Sequence, residues 1–242
     1  MATNDLAVFA NLAESLADIE GVTETVDQII SHAVYNVGAG ALFGGITLLS
    51  SRGRRFETVG ATHATVIEAD RLQYELHEGP CFDAATESII VVSAFLATDT
   101  RWPLWGPRAS AIGFNSVLCA ELHSRGRRIG ALNLYGVEEE AFSREDMALA
   151  ALFARQGALA LGYARGAEGL REALDTRTII GQAQGILMER FDIDADRAFA
   201  TLRRYSQHHN IKLGVFCAHL IETRALPSQD GSSVGDAPSP DT

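Results

Sequence analysis

Arg177-Thr-Ile-Ile-Gly181-Gln-Ala-Gln184-Gly185-Ile-Leu-Met188 is the stretch whose reading decides how the C-terminal part of this chain folds. Placed at 100° per residue, Ile179, Ile180, Ala183, Ile186 and Leu187 fall on one apolar stripe. The opposite face carries Arg177, Gly181, Gln184, Gly185 and Met188. Two glycines inside a helix are each unfavourable by roughly 1 kcal/mol against alanine. Something must favour them: either a second helix packs closely on this face or an external partner lies against it.

Residues 195–209 read as the next helix, with Asp194 as its N-cap. Ala195, Ala198, Phe199, Leu202, Tyr205 and Ser206 form its expected inner stripe. Arg197, Arg204 and His208 line its outside, with Arg203 beside them. Such a basic edge is a solvated face or a contact for phosphates. Asn210 is expected to cap a third helix whose Leu213, Phe216, Cys217 and Leu220 bury one side. Lys212, the only lysine, stands in its first turn, where a cation opposes the macrodipole. No nucleophile–base pair and no metal-ligand spacing occurs in this module, so it reads as a binding module.

The charge is divided unevenly. The whole chain of 242 residues carries −11, yet residues 166–226 hold eight basic and eight acidic side chains. The segment 1–165 is therefore acidic and the helical module neutral, which permits a nucleic-acid partner without demanding one. Cys81, Cys119 and Cys217 are far apart and lack CxxC spacing, so neither a disulfide framework nor a zinc site is expected. The N-terminus lacks the basic and apolar regions of a secretory signal. No uninterrupted apolar run nears the roughly 20 residues of a membrane helix. The expectation is a soluble cytoplasmic protein.

Further toward the N-terminus the pattern is mixed. Leu6, Phe9, Leu12, Leu16 and Ile19, then Val22, Val26, Ile29, Ile30 and Val34, predict two amphipathic helices separated by Gly21. Residues 41–50 and 54–60 predict a hairpin about Ser51-Arg52-Gly53, and residues 64–76 a helix. Ile89–Val92 is a short buried strand. Residues 115–123 and 127–135 alternate across Ser124-Arg125-Gly126 as a second hairpin. In it Ile129, Ala131, Asn133 and Tyr135 face one way, Leu132 and Leu134 the other. This order predicts an α+β domain with an antiparallel sheet flanked by helices. Ser143 and Asp146 form a capping box that opens a long helix running to about residue 175. Leu149, Leu152, Gln156, Leu159, Tyr163, Gly166 and Leu170 make a short heptad seam along it, packed on its own sheet, on a second copy, or on both in different parts. Residues 227–242 read as a disordered tail.

Taken together, Arg177–Met188, Ala198-Phe199…Leu202…Ser206 and Asn210…Lys212-Leu213 resemble the ANTAR domain. Glu78-Gly79-Pro80-Cys81, Asp99–Pro103 and Gly130–Tyr135 resemble the GAF sensor domain that precedes ANTAR in many actinobacterial regulators. The resemblance implies a GAF-like domain over 1–165, a three-helix RNA-binding module over 166–226 reached by a long connecting helix, and the tail. It implies a dimer that holds paired stem-loops in nascent mRNA and so excludes a terminator hairpin. Its RNA-binding residues would be Arg177, Gly181, Gln184, Gly185, Met188, Arg203, Arg204, Ser206, Asn210 and Lys212. Many ANTAR sequences have lysine where this chain has Gln184; a neutral amide reads a base edge but releases no counterion, which shifts the electrostatic load onto Arg177, Arg203, Arg204 and Lys212.

For the sensor domain the resemblance implies an unknown small-molecule signal in a pocket near Tyr74, Glu78, Cys81, Asp99, Arg101 and Trp102. Arg101 would pair an anion and Trp102 would stack on a ring, or the Trp-Pro pair wedges a loop onto the sheet. Neither a metal nor a haem ligand pattern is evident, and no catalytic residue is assigned. Other readings stay open: a dimeric ligand sensor with a weak or inactive RNA module, a DNA-binding regulator, and a GAF-type methionine sulfoxide reductase using Cys81 and Cys119.

Overall fold

The computed structural model describes the chain apart from residues 1, 18, 20, 39–41, 50–54, 87–89, 125 and 227–242. The Ser51–Gly53 turn, Ile89, the expected tail and the side chains of Leu6 and Phe9 lie outside the described residues. The described chain divides into two compact units, Met1–Glu168 and Gly169–Thr242.

The first unit is α+β. Five antiparallel strands, β1 (Leu42–Leu49), β2 (Phe56–Ala61), β3 (Ile90–Ser93), β4 (Ser116–Ser124) and β5 (Arg127–Gly136), form one sheet in the order β2-β1-β5-β4-β3. Both expected hairpins are present, β1–β2 and β4–β5, each antiparallel. Helix α1 (Ala2–Ala17) precedes α2 (Val22–Asn36). Helix α3 (Ala64–Leu76) is followed by two short helices, α4 (Pro80–Thr86) and α5 (Trp105–Ala111).

Both faces of the sheet are covered. On one, Val26, Ile29 and Ile30 of α2 meet Ile46, Leu48, Leu118, Leu132 and Leu134. On the other, Val66 and Ala69 of α3, with Trp102 and Trp105, meet Val117, Cys119 and Tyr135. Alternation along β5 thus sends Leu132 and Leu134 to one core and Tyr135 to the other. Ile129 departs from the expected alternation and packs against the α2 side. The pairing Leu122↔Gly130 followed by His123↔Arg128 leaves Ile129 as the extra residue of a bulge, which reverses its direction.

Helix α6 runs without interruption from Arg144 to Phe191. The expected end near residue 175, with a new helix at 176, does not occur. No proline interrupts the run, and each isolated glycine costs only about 1 kcal/mol. A break would leave a set of unpaired backbone groups at each new end. The capping box at its start is formed: the Ser143 hydroxyl accepts from the Asp146 N–H at 3.2 Å, and the Asp146 carboxylate accepts from the Ser143 N–H at 2.8 Å. Ala150, Phe153, Ala154, Ala158 and Leu161 of α6 join the α2-side core. Gly157 lets this packing happen, since a Cβ there would stand 2.9 Å from Ile29. An 18-residue window of α6, of mean hydropathy 1.2, reaches membrane-spanning length and composition. Of that window 39% is buried.

The second unit is a three-helix assembly of the end of α6, α7 (Ala195–His208) and α8 (Leu213–Thr223). Ala183, Leu187, Ala198, Leu202, Phe216, Cys217 and Leu220 are its buried core. Asp194 caps α7 as expected, accepting from the Arg197 N–H at 2.8 Å. Ala195 and Phe199, expected inside, are exposed, Phe199 by 38%. Asn210 does not cap α8. It sits in the left-handed region (φ 51°) just past α7, where the Ile211 N–H bonds the Ser206 carbonyl at 3.0 Å. Asparagine tolerates this Schellman-type position because its short polar side chain suits the left-handed conformation. The cap position of α8 is Lys212.

Candidate functional sites

In the first unit the chemistry gathers around one buried carboxylate. Asp70, on the inner face of α3, is fully buried. Its Oδ1 accepts from the Tyr135 hydroxyl at 2.6 Å and from Asn133 Nδ2 at 3.1 Å. Its Oδ2 accepts from the Thr58 hydroxyl at 2.8 Å and from that of Thr47 at 3.3 Å. The Tyr74 hydroxyl lies 2.8 Å from both threonine hydroxyls. Burial pushes the Asp70 carboxyl up to about 6, while the donated hydrogen bonds pull the other way. Asn133 donates to the carboxylate, which fixes its amide orientation; its Oδ1 is buried and unpartnered.

The sequence-predicted pocket residues divide into two sets. Tyr74 and Cys81 belong to this cluster. Burial, with Asp70 next, raises the Cys81 thiol to about 12, and the Cys81 N–H donates to the Gln73 side chain at 2.8 Å. Glu78, Asp99, Arg101 and Trp102 form a clasp around α5 instead. The Glu78 carboxylate accepts from the backbone N–H of Leu104 and Trp105 at 2.7 and 2.9 Å, satisfying donors that the start of α5 leaves open. Asp99 accepts from Arg101 at 2.6 Å; that bond holds its carboxyl down at about 2. Arg101 also donates to the Val92 carbonyl and lies 4.4 Å over the Trp102 ring. Trp102 itself is 1% exposed, and its indole donates to Asp83 at 2.8 Å. Arg101 and Trp102 thus already hold each other and the loop on the sheet. The residues that sequence reading missed are Asp70, Thr47, Thr58 and Asn133, which meet only because the sheet pairing places them together.

In the second unit, Arg177, Gly181, Gly185 and Met188 are all exposed on α6, as are Arg203 and Arg204 on α7 and Lys212 before α8. A Cβ built on Gly181 or Gly185 would meet nothing within 4 Å. No second helix of the described chain therefore requires these glycines. Gln184 is partly buried; its Nε2 donates to the Ala195 carbonyl at 3.1 Å and ties α6 to the start of α7. Ser206 is buried, its hydroxyl donated to the Ile211 carbonyl at 2.6 Å. Among the described residues no group of three or more His, Cys, Asp or Glu is placed to hold a metal ion.

Comparison with known proteins supplies the wider frame. The family model of the GAF domain matches residues 20–162, and that of the ANTAR domain matches residues 168–221. No curated protein matches the chain. Among solved structures, the GAF domain of a phosphoenolpyruvate-protein phosphotransferase from Acinetobacter is similar at TM-score 0.56 and 15% identity, over 70% of this chain and 99% of that one. The corresponding domain from Coxiella burnetii gives 0.56 and 11%, over 69% and 98%. The phytochrome photosensory core module of Stigmatella aurantiaca gives 0.57 and 9%, over 89% and 45%. At these identities the likeness is one of fold.

Proposed function

The chain belongs to the GAF-domain family and carries an ANTAR domain behind it, and on that premise we propose a cytoplasmic, signal-responsive regulator that binds paired stem-loops in nascent mRNA and prevents transcription termination. GAF and ANTAR domains are in general sensory and regulatory. The observation that carries the RNA reading is the free glycine face. Gly181 and Gly185 are exposed in a helix where alanine would be more stable, and no atom of the described chain occupies the space above them. A face kept without side chains admits close approach of a backbone or a base. The same module exposes Arg177, Arg203, Arg204 and Lys212, cations suited to phosphates.

The protein acts as a homodimer in this reading. Leu159, Tyr163, Leu170 and Leu174 of α6 are 45%, 72%, 63% and 56% exposed, a row of large apolar groups that a second copy would cover. A small molecule enters the sensor domain at the Asp70–Tyr74–Cys81 side of the sheet and changes the availability of the RNA face. The test is binding of a two-hairpin RNA and of duplex DNA over a salt series. RNA binding with a log–log slope of about −3, the value for roughly four phosphate contacts on a single strand, supports the proposal. Preference for duplex DNA overturns it.

A further inference from the structure

Phe199 is the exposed aromatic of a helix otherwise coated with charge. It stays outside the module's core and stacks on no other ring among the described residues. Beside it lies an open groove of about 610 Å³ between α6 and α7. Small residues of α6, Gly169, Ala173 and Thr176, line it together with Phe199, as do Glu172, Arg177 and Gln184.

We propose that this groove receives a single unpaired base of the bound RNA, stacked on Phe199. The inference rests on the RNA reading above and names the part of the RNA that the groove takes. Three features select a base over other occupants. A phenyl ring beside a slot walled by small residues accepts a flat ring, and stacking on an aromatic side chain is a general mode of single-stranded RNA recognition. The Gln184 amide is oriented by its bond to the Ala195 carbonyl, which leaves Oε1 as an acceptor. The Arg177 guanidinium is exposed and has no side-chain partner among the described residues, so it supplies donors. An acceptor next to a donor matches the neighbouring donor and acceptor that an unpaired base presents on its edge. The Glu172 carboxylate disfavours a phosphate inside the groove. Arg203 lies four residues beyond Phe199, on the same face of α7, where the phosphate of the stacked nucleotide would sit.

The experiment compares wild type, Phe199→Ala and Phe199→Trp with a two-hairpin RNA and with variants in which each loop nucleotide in turn is abasic. Circular dichroism checks folding and light scattering the oligomeric state. Phe199→Ala is expected to weaken binding about 5- to 150-fold, the fold-change equivalent to about 1–3 kcal/mol of stacking. Phe199→Trp is expected to restore it. One abasic position should weaken wild type by a similar factor and leave Phe199→Ala unaffected, with the salt slope unchanged. Equal losses for both proteins at every abasic position overturn the base pocket while leaving RNA binding intact. Conversion of Phe199→Ala to a monomer assigns the groove to a second copy and also overturns it. If the wild-type protein binds no RNA, the functional reading itself fails.

Discussion

Asp70 gives the most quantitative consequence of this structure. Its carboxyl titrates near 3.8 in an unfolded chain and is raised to about 6 in the fold, chiefly by burial. The folded state therefore holds the proton more tightly, and the charge subtracts stability as pH rises through the interval from about 4 to 6. A shift of about two units amounts to about 3 kcal/mol over the whole interval. Between pH 6.5 and 4.5 it comes to about 2 kcal/mol, or about 4–8 °C in Tm for a domain of this size. Asp99 acts oppositely. Its carboxyl is held near 2 by the Arg101 hydrogen bond, so its contribution is present above 3.8 and lost only as pH falls toward 2. Its window lies below that of Asp70. Trp102 and Trp105 are the only two tryptophans, and both lie in the sensor domain, so their fluorescence follows that unit alone during urea unfolding. Wild type should gain about 2 kcal/mol relative to Asp70→Asn on going from pH 6.5 to 4.5. Contributions from every group that the two proteins share cancel in the difference. Parallel pH profiles for the two proteins would refute the assignment of a buried, largely ionised Asp70 at neutral pH.

Three further outcomes are expected. Gly181→Ala and Gly185→Ala should each raise thermal stability, by up to about 1 kcal/mol, since an added Cβ meets nothing, while weakening RNA binding; a stability loss measured by calorimetry would contradict the open face. Cys81 and Cys119 are fully buried and their thiols are pushed up by burial, Cys81 to about 12. In native protein a thiol reagent should leave both unmodified and label them only after unfolding; fast native labelling would revive a redox chemistry for this domain. Asp194→Ala removes the α7 cap and should cost about 1 kcal/mol in the helical module, read by circular dichroism, with the tryptophan transition unmoved.

Much of the fold was legible because it is written in local periodicity. The bounds of α3, both hairpins, the Ser143–Asp146 box and the Asp194 cap all follow from residues close in sequence. The continuity of α6 was not legible, because Gly166 and Gly169 weaken the pattern just before residue 175 and only the absence of proline across the run argues against a break there. Phe199 matched the inner stripe by spacing, yet the core it would join is filled by Ala198 and Leu202. Asp70 carried no signal of its own within the expected helix 64–76. Its partners Thr47, Thr58, Asn133 and Tyr135 come from three strands, and only the order β2-β1-β5 brings them to it. Arg101 and Trp102 carried the right motif, but their side chains are committed to Asp99, Asp83 and each other, which a one-dimensional pattern does not reveal.

The central claim, that the free face of the ANTAR module meets RNA, is tested most directly by crosslinking the protein to nucleic acid in cells and sequencing what it holds, in parallel with an Arg177→Ala, Arg203→Ala double variant. Transcripts with two short adjacent stem-loops overlapping a terminator are expected to be enriched with wild type and lost with the variant. Recovery of chromosomal DNA, or of the same RNA with both proteins, would contradict the claim.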